Sequence, residues 1–273
     1  MKDETVFESP DQHEALQRDL ATVCIGRFEP YRHKLAISTL NAPGLVSGLD
    51  LVSPEHLDRT LAFLAKEQEC DDPRVLASLW TRLYGDVVIP AVLVANLMFR
   101  RDLPIALDRI RFAVDAEGKP SRIVLADAGG MLTTESTPTE RFKTLVNGNL
   151  GPVVDAIARH GSVSPRMLWG NLASYFEWTA HVLIVFFDQP PEPFEPLEAL
   201  LNAHDHLAGP MRDLVEALSP PGHDPRGRDP RGLRWRRVCC IRYLIPALSD
   251  AYCINCPIRR RDDGRVPSKV SPS

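Results

Sequence analysis

No segment of the sequence reads as a membrane span. Its longest apolar runs, residues 87–99 and 179–187, fall short of the roughly 20 residues a helix needs to span hydrocarbon. It opens on Met1-Lys2-Asp3-Glu4-Thr5 with no apolar signal core, so nothing suggests export and the expected location is cytoplasmic. Internal repeats are missing, and so is a nucleotide fingerprint. Gly129-Gly130 is a lone pair that ends a hairpin after Asp127, and no flavin or nicotinamide motif is present. Histidine does not occur after His223, which argues against a His-ligated Rieske-type centre near the C-terminus.

Cysteine is scarce, six in 273 residues. In a compartment that keeps thiols reduced, these are not read as a disulfide framework. Cys24 and Cys70 stand alone and read as small buried hydrophobes or inert thiols. The other four, Cys239, Cys240, Cys253 and Cys256, fall within 18 residues.

What is present is ordinary globular composition, 44% hydrophobic and 25% charged, enough for one large domain or two small ones. The net charge of −4 conceals an asymmetry. Residues 222–273 hold 12 Lys/Arg against 5 Asp/Glu, and the rest of the chain 20 against 31. The four clustered cysteines therefore sit in the basic part of an acidic protein.

Helical spacing dominates the pattern. A first helix is expected after Pro10, carrying Leu16, Leu20 and Val23. Residues 27–52 are broken by Pro30, Pro43, Gly44 and Gly48. Ser53-Pro54-Glu55 is a helix start, with a capping hydroxyl, a first-turn proline and an acid suited to the helix dipole. A second start, Asp72-Pro73, leads through Gly85 into the buried stretch 87–97. Residues 109–115 and 121–127 alternate about Ala116-Glu117-Gly118-Lys119-Pro120 and predict a β-hairpin. Residues 140–159 and 165–187 read as two long helices, 190–196 as a proline-rich turn and 197–206 as another helix. The expected class is α+β, mostly helical with a small antiparallel sheet and a C-terminal cysteine-rich segment. Three units follow: a helical domain over 1–218, a cluster-binding segment over 219–262 that opens on a Pro/Gly-rich linker, and a disordered tail over 263–273.

The two-residue spacing of Cys253 and Cys256 lets a tight turn aim both sulfurs at one metal, and Pro257 stops the turn. Cys239 and Cys240 are adjacent, and neighbouring side chains of extended backbone point apart, so both reach one centre only if the chain bends. A centre spread over two irons tolerates this better than one tetrahedral zinc. Four thiolates suffice for a [2Fe–2S] cluster. A Cys₄ zinc site and four reduced thiols without metal remain alternatives at this point.

At this motif the sequence resembles the FhuF family of ferric-siderophore reductases, whose C-terminus carries adjacent cysteines followed by a two-residue-spaced pair. Residues 78–90, Ser-Leu-Trp-Thr-Arg-Leu-Tyr-Gly-Asp-Val-Val-Ile-Pro, resemble the family's Trp/Tyr/Pro helix. Trp169-Gly170-Asn171 resembles an element shared with IucA/IucC-like siderophore proteins. The twelve residues between Cys240 and Cys253 make a loop slightly longer than the family pattern. The resemblance implies a siderophore-handling domain over 1–218 and a [2Fe–2S] cluster on Cys239, Cys240, Cys253 and Cys256. It implies cytoplasmic reduction of Fe(III), held by an imported siderophore of hydroxamate type, to weakly held Fe(II). With no flavin or nicotinamide motif, a separate electron donor such as a ferredoxin or a reductase is required.

Arg234, Arg236, Arg237, Arg242, Arg259, Arg260 and Arg261 flank the cysteines. They read as a solvated basic tail or, alternatively, as charges that offset a cluster and steer an anionic partner. Trp235 and Tyr243 read as core or cover residues. Trp80, Tyr84 and Trp169 read as core, with an aromatic siderophore pocket as the alternative. Asn171 and Glu177 lie on a helix that could face such a pocket. His204 and His206 alternate and do not share a helix face, so they read as surface. No catalytic residue beyond the cluster is expected, and peripheral membrane contact stays open. Two rival functions are a non-catalytic siderophore-binding or biosynthesis-associated protein with a structural zinc site, and an iron–sulfur sensor or carrier. A nucleic-acid partner is not expected, since the basic segment lacks a reading helix and the rest is acidic.

Overall fold

Capping chemistry sets where the helices begin in the computed structural model, which describes residues 10–133, 135–187, 192–203, 207–218, 232–249, 252–253 and 255–258. Helix α1 (Pro10–Val23) starts at a proline, as expected. The short α2 (Gly48–Leu51) is capped by Ser47. In α3 (Pro54–Gln68) the Ser53 hydroxyl accepts from the His56 N–H at 3.3 Å. In α4 (Pro73–Phe99) the Asp72 carboxylate accepts from the Arg74 N–H at 2.9 Å. A capping box of Thr137 and Glu140 opens α5 (Pro138–Leu145). There follow α6 (Gly151–His160), α7 (Pro165–Phe187), α8 (Glu195–Asn202) and α9 (Gly209–Glu216).

Helices α4 and α7 form the spine. Both are nearly free of charge and buried along most of their length: Trp80, Tyr84, Val88 and Leu93 on α4, Leu168, Leu172, Phe176 and Leu183 on α7. Gly85 lets them approach, since a Cβ there would meet the Tyr175 and Leu172 side chains at 3.0–3.3 Å. Helix α4 is long and apolar enough to cross a membrane, but 72% of its most apolar window is buried inside the protein.

Four strands pack beside α4 in the order β1-β5-β4-β2. They are β1 (Leu35–Ile37), β2 (Leu45–Ser47), β4 (Arg111–Val114) and β5 (Pro120–Leu125). The predicted hairpin is the antiparallel pair β4–β5, with Phe112 opposite Ile123. The sheet is not wholly antiparallel, however, because β1 runs parallel to β5. At three residues, β1 and β2 are too short for alternation to show in the sequence. A separate two-stranded ladder joins β3 (Arg101–Asp102) to β6 (Gly130–Met131).

Two further departures have local causes. The helix expected over 140–159 is interrupted by a π turn, Val146–Leu150. The wider turn carries Asn149 into the core, where it accepts from the Tyr84 hydroxyl at 2.7 Å and donates to the Ile105 carbonyl at 2.7 Å. The helix expected over 197–206 ends at Asn202, with Ala203 extended. Residues 204–206, 219–231 and 259–273, which include His204, His206, the linker, Arg259–Arg261 and the tail, lie outside the described residues.

Candidate metal centre

The cysteine segments are tied to the helical body through residues 234–237. Arg236 forms an isolated antiparallel bridge with Leu218 beyond α9, and the Arg237 N–H donates to the Ala217 carbonyl at 3.1 Å. On the opposite edge the Arg236 N–H donates to the Asn255 carbonyl at 3.1 Å, and Asn255 Nδ2 donates to the Arg234 carbonyl at 3.2 Å. One extended stretch thus holds the second cysteine segment beside the first.

The four sulfurs meet in two couples. Cys239 Sγ lies 3.8 Å from Cys256 Sγ, and Cys240 Sγ lies 3.3 Å from Cys253 Sγ. None of the six cysteines forms a disulfide, with Cys240 and Cys256 buried and Cys239 and Cys253 half-buried. Just after the adjacent pair, Ile241 is a β-branched residue in the left-handed region at φ 53°. Such a residue costs on the order of 1–3 kcal/mol of local strain. The conformation turns the Ile241 N–H onto Cys239 Sγ at 3.3 Å. A tight turn follows at the other pair, where the Cys256 N–H donates to the Cys253 carbonyl at 3.1 Å. Among the described residues no three His, Cys, Asp or Glu side chains are arranged to hold a single ion.

Helices α4 and α7 support this segment with buried polar groups. Ser78 Oγ donates to the Cys240 carbonyl at 2.7 Å. Asn171 Nδ2 donates to the Ser78 carbonyl and hydroxyl at 3.1 and 3.0 Å, while its Oδ1 accepts from Arg236 Nη2 at 2.6 Å. Gly170 is small for the same reason, since a Cβ there would come within 3.2 Å of Arg236 Nη2. Glu177 Oε1 accepts from both the Arg234 N–H at 2.9 Å and Arg234 Nη1 at 3.0 Å. Arg234 Nη2 reaches Glu198 at 2.8 Å and Asn202 at 2.9 Å.

Positive charge converges on the sulfurs. Burial lowers the pKa of Arg82, but Tyr175, Cys253, Cys240 and Asp86 outweigh it and hold the guanidinium charged. Hydrogen bonds with Cys239 and Cys253 pull the Cys240 thiol far below its ordinary value, against burial and with help from Arg236 and Arg82. Hydrogen bonding pushes Cys239 and Cys253 up, Cys239 through Cys240 and Cys256, and Cys253 through Cys240, with burial adding to both. Arg236 and Arg82 form no ion pair with a carboxylate among the described residues, unlike Arg234. The Nε atoms of Arg236 and Arg242 are buried without a hydrogen-bond partner among the described residues.

A family model described as ferric iron reductase FhuF-like transporter matches residues 78–217 of this chain. The chain belongs to the FhuF-like family. The match begins at Ser78, which holds the Cys240 carbonyl, and ends at Ala217, which accepts from Arg237. Arg82, Asn171 and Glu177 lie inside the FhuF-like segment, and the four cysteines lie beyond it. The chain is also similar to a ferric siderophore reductase of Escherichia coli strain K12, 22% identical over 225 residues that cover 82% of this chain and 79% of that protein.

Of the residues singled out in the sequence, the fold brings together Cys239, Cys240, Cys253, Cys256, Asn171, Arg236 and, one layer out, Glu177 with Arg234. Trp80, Tyr84, Trp169 and Trp235 are buried core. Arg234 and Arg236 are buried at 2% and 1% exposure, so they are not part of a solvated tail, whereas Arg237 is exposed. Arg82 and Ser78 were not anticipated. The available signal was a cation and a hydroxyl one turn apart on a mostly apolar helix.

Proposed function

We propose that this protein reduces Fe(III) in a siderophore complex to Fe(II), using a [2Fe–2S] cluster held by Cys239, Cys240, Cys253 and Cys256. One electron enters from a separate donor such as a ferredoxin and leaves to the ferric ion, whose affinity for hard hydroxamate oxygens then drops. The reaction belongs in the cytoplasm, where a reduced donor is available. Membership of the FhuF-like family and the similarity to a ferric siderophore reductase support the substrate class.

The observation that carries the cofactor is charge. Arg236, fully buried, faces the sulfurs without an ion pair to a carboxylate among the described residues, and the half-buried Arg82 adds its charge beside it. An unpaired buried cation costs several kcal/mol, and neutral thiols would not offset it. An anionic thiolate centre does. When bound, the cluster supplies a one-electron carrier. The protein's own groups hold its four ligands, donate the Ile241 N–H to sulfur and set the surrounding charge.

Protein purified without air should carry iron and acid-labile sulfide in equal amounts, about two of each per chain. After dithionite reduction it should convert a ferric hydroxamate to Fe(II), trapped by a chromogenic chelator. Colourless, zinc-loaded protein would instead establish the structural-zinc alternative.

Arg82 gives a sharper test. Cations near the centre favour its reduced, more negative form. Arg82→Gln should lower the midpoint potential, by about 59 mV for each tenfold loss in that preference, and exposed Arg237→Gln should leave it unchanged. Spectroelectrochemical titration of both variants reads this directly, and equal potentials would remove Arg82 from the charge balance.

A further inference from the structure

A cleft between α3, α4 and the β4–β5 hairpin plays no part in holding the cysteines. Its volume is about 370 Å³, within the range of roughly 300–1,000 Å³ common for small-ligand sites. Leu79 and Leu83 of α4 contribute apolar wall. Leu79 also connects the cleft to the centre. Its neighbour Ser78 holds the Cys240 carbonyl, and Leu79 and Ile241, the residue after Cys240, both pack against one small apolar cluster of Cys70, Val75 and Ile245.

The charged lining is three carboxylates, Glu67, Asp86 and Asp115, against two lysines, Lys34 and Lys119. Each lysine already faces carboxylate: Lys34 lies 3.8 Å from Asp86, and Lys119 lies 3.5 Å from Glu67 and 3.6 Å from Asp115. No cation of the lining is left over for an anionic ligand, and the balance is negative.

Resting on the reductase reading above, we infer that this cleft seats the ferric complex and selects by its overall charge. Three hydroxamates neutralise one ferric ion, so a plain trihydroxamate complex is neutral, one with a pendant amine is cationic, and a citrate-based complex that keeps free carboxylate is anionic. Neutral and cationic complexes fit the carboxylate-rich rim, with their methylene spacers against Leu79 and Leu83. Anionic complexes meet like charge without a compensating cation.

Gallium(III) complexes of the three charge classes test this without electron transfer, by calorimetric titration of the intact iron-loaded protein. The amine-bearing and neutral trihydroxamates should bind at least about tenfold tighter than the carboxylate-bearing complex. Ser121→Trp, at the exposed rim, should weaken them by about tenfold or more with iron and sulfide content unchanged. Glu67→Lys, also on the rim, should narrow or reverse the charge preference. Equal binding of all three classes, or variants that bind as the native protein does, would overturn the cleft even if ferric reduction persists. Conversely, cleft binding with the expected preference, but no ferric reduction by the reduced protein, would keep the site and remove the reductase reading.

Discussion

Cys256→Ser should yield protein without acid-labile sulfide and without ferric reduction, whereas Cys24→Ser should keep both. Cys256 is buried, 3.8 Å from Cys239, and its backbone N–H closes the turn that aims Cys253. A serine hydroxyl is shorter, harder and not ionised near neutrality, so it cannot replace a thiolate ligand. The loss should be all-or-none in sulfide content, because a [2Fe–2S] centre of this kind needs all four thiolate ligands. Cys24 belongs to the core with Leu20 and Phe28, and burial pushes its thiol up to about 12. It is therefore protonated and inert at neutral pH. Iron and sulfide assays, visible absorbance and Fe(II) capture on the two variants decide the matter. A Cys256→Ser protein with its full complement of both elements would show that the ligand set is wrong.

The helical frame was legible because its signals are local. Ser53-Pro54 and Asp72-Pro73 cap α3 and α4 where expected, and the apolar period of residues 165–187 coincides with α7. The spacing of the four cysteines was readable, and the structure places their sulfurs close together, with the chain turning at Ile241 just after the adjacent pair. The surroundings of the centre were not legible. They come from Ser78 and Arg82 on α4 and from Asn171 and Glu177 on α7, and the Ser78–Cys240 bond alone joins residues 162 positions apart. No periodicity records which arginine of a basic run finds an acceptor. Arg234, Arg236 and Arg237 look alike in sequence, yet two are buried and one is exposed. Asn171 and Glu177 carried the readable half of that information, as polar residues set on the apolar face of a helix, and such residues are rarely buried without partners.

The second large effect follows from that pairing. Glu177→Ala should destabilise the protein by about 3–5 kcal/mol, since it leaves the Arg234 guanidinium buried with much of its charge unanswered. Both side chains are nearly inaccessible, at 1% and 5% exposure, so water does not screen or replace the pair. The remaining partners of Arg234, Glu198 and Asn202, reach only Nη2, and the Arg234 backbone N–H loses its acceptor as well. Because the Arg234 carbonyl receives Asn255, damage at Glu177 should spread to the second cysteine pair and lower iron content before the helical body unfolds. Glu177→Leu combined with Arg234→Met should recover most of the stability, because removing both charges also removes the cost of burying either. Denaturant midpoints and iron retention along the same titration separate the two levels. A single variant within about 1 kcal/mol of the native protein, the range of an exposed pair, would mean that Glu177 does not anchor the segment carrying the cysteines.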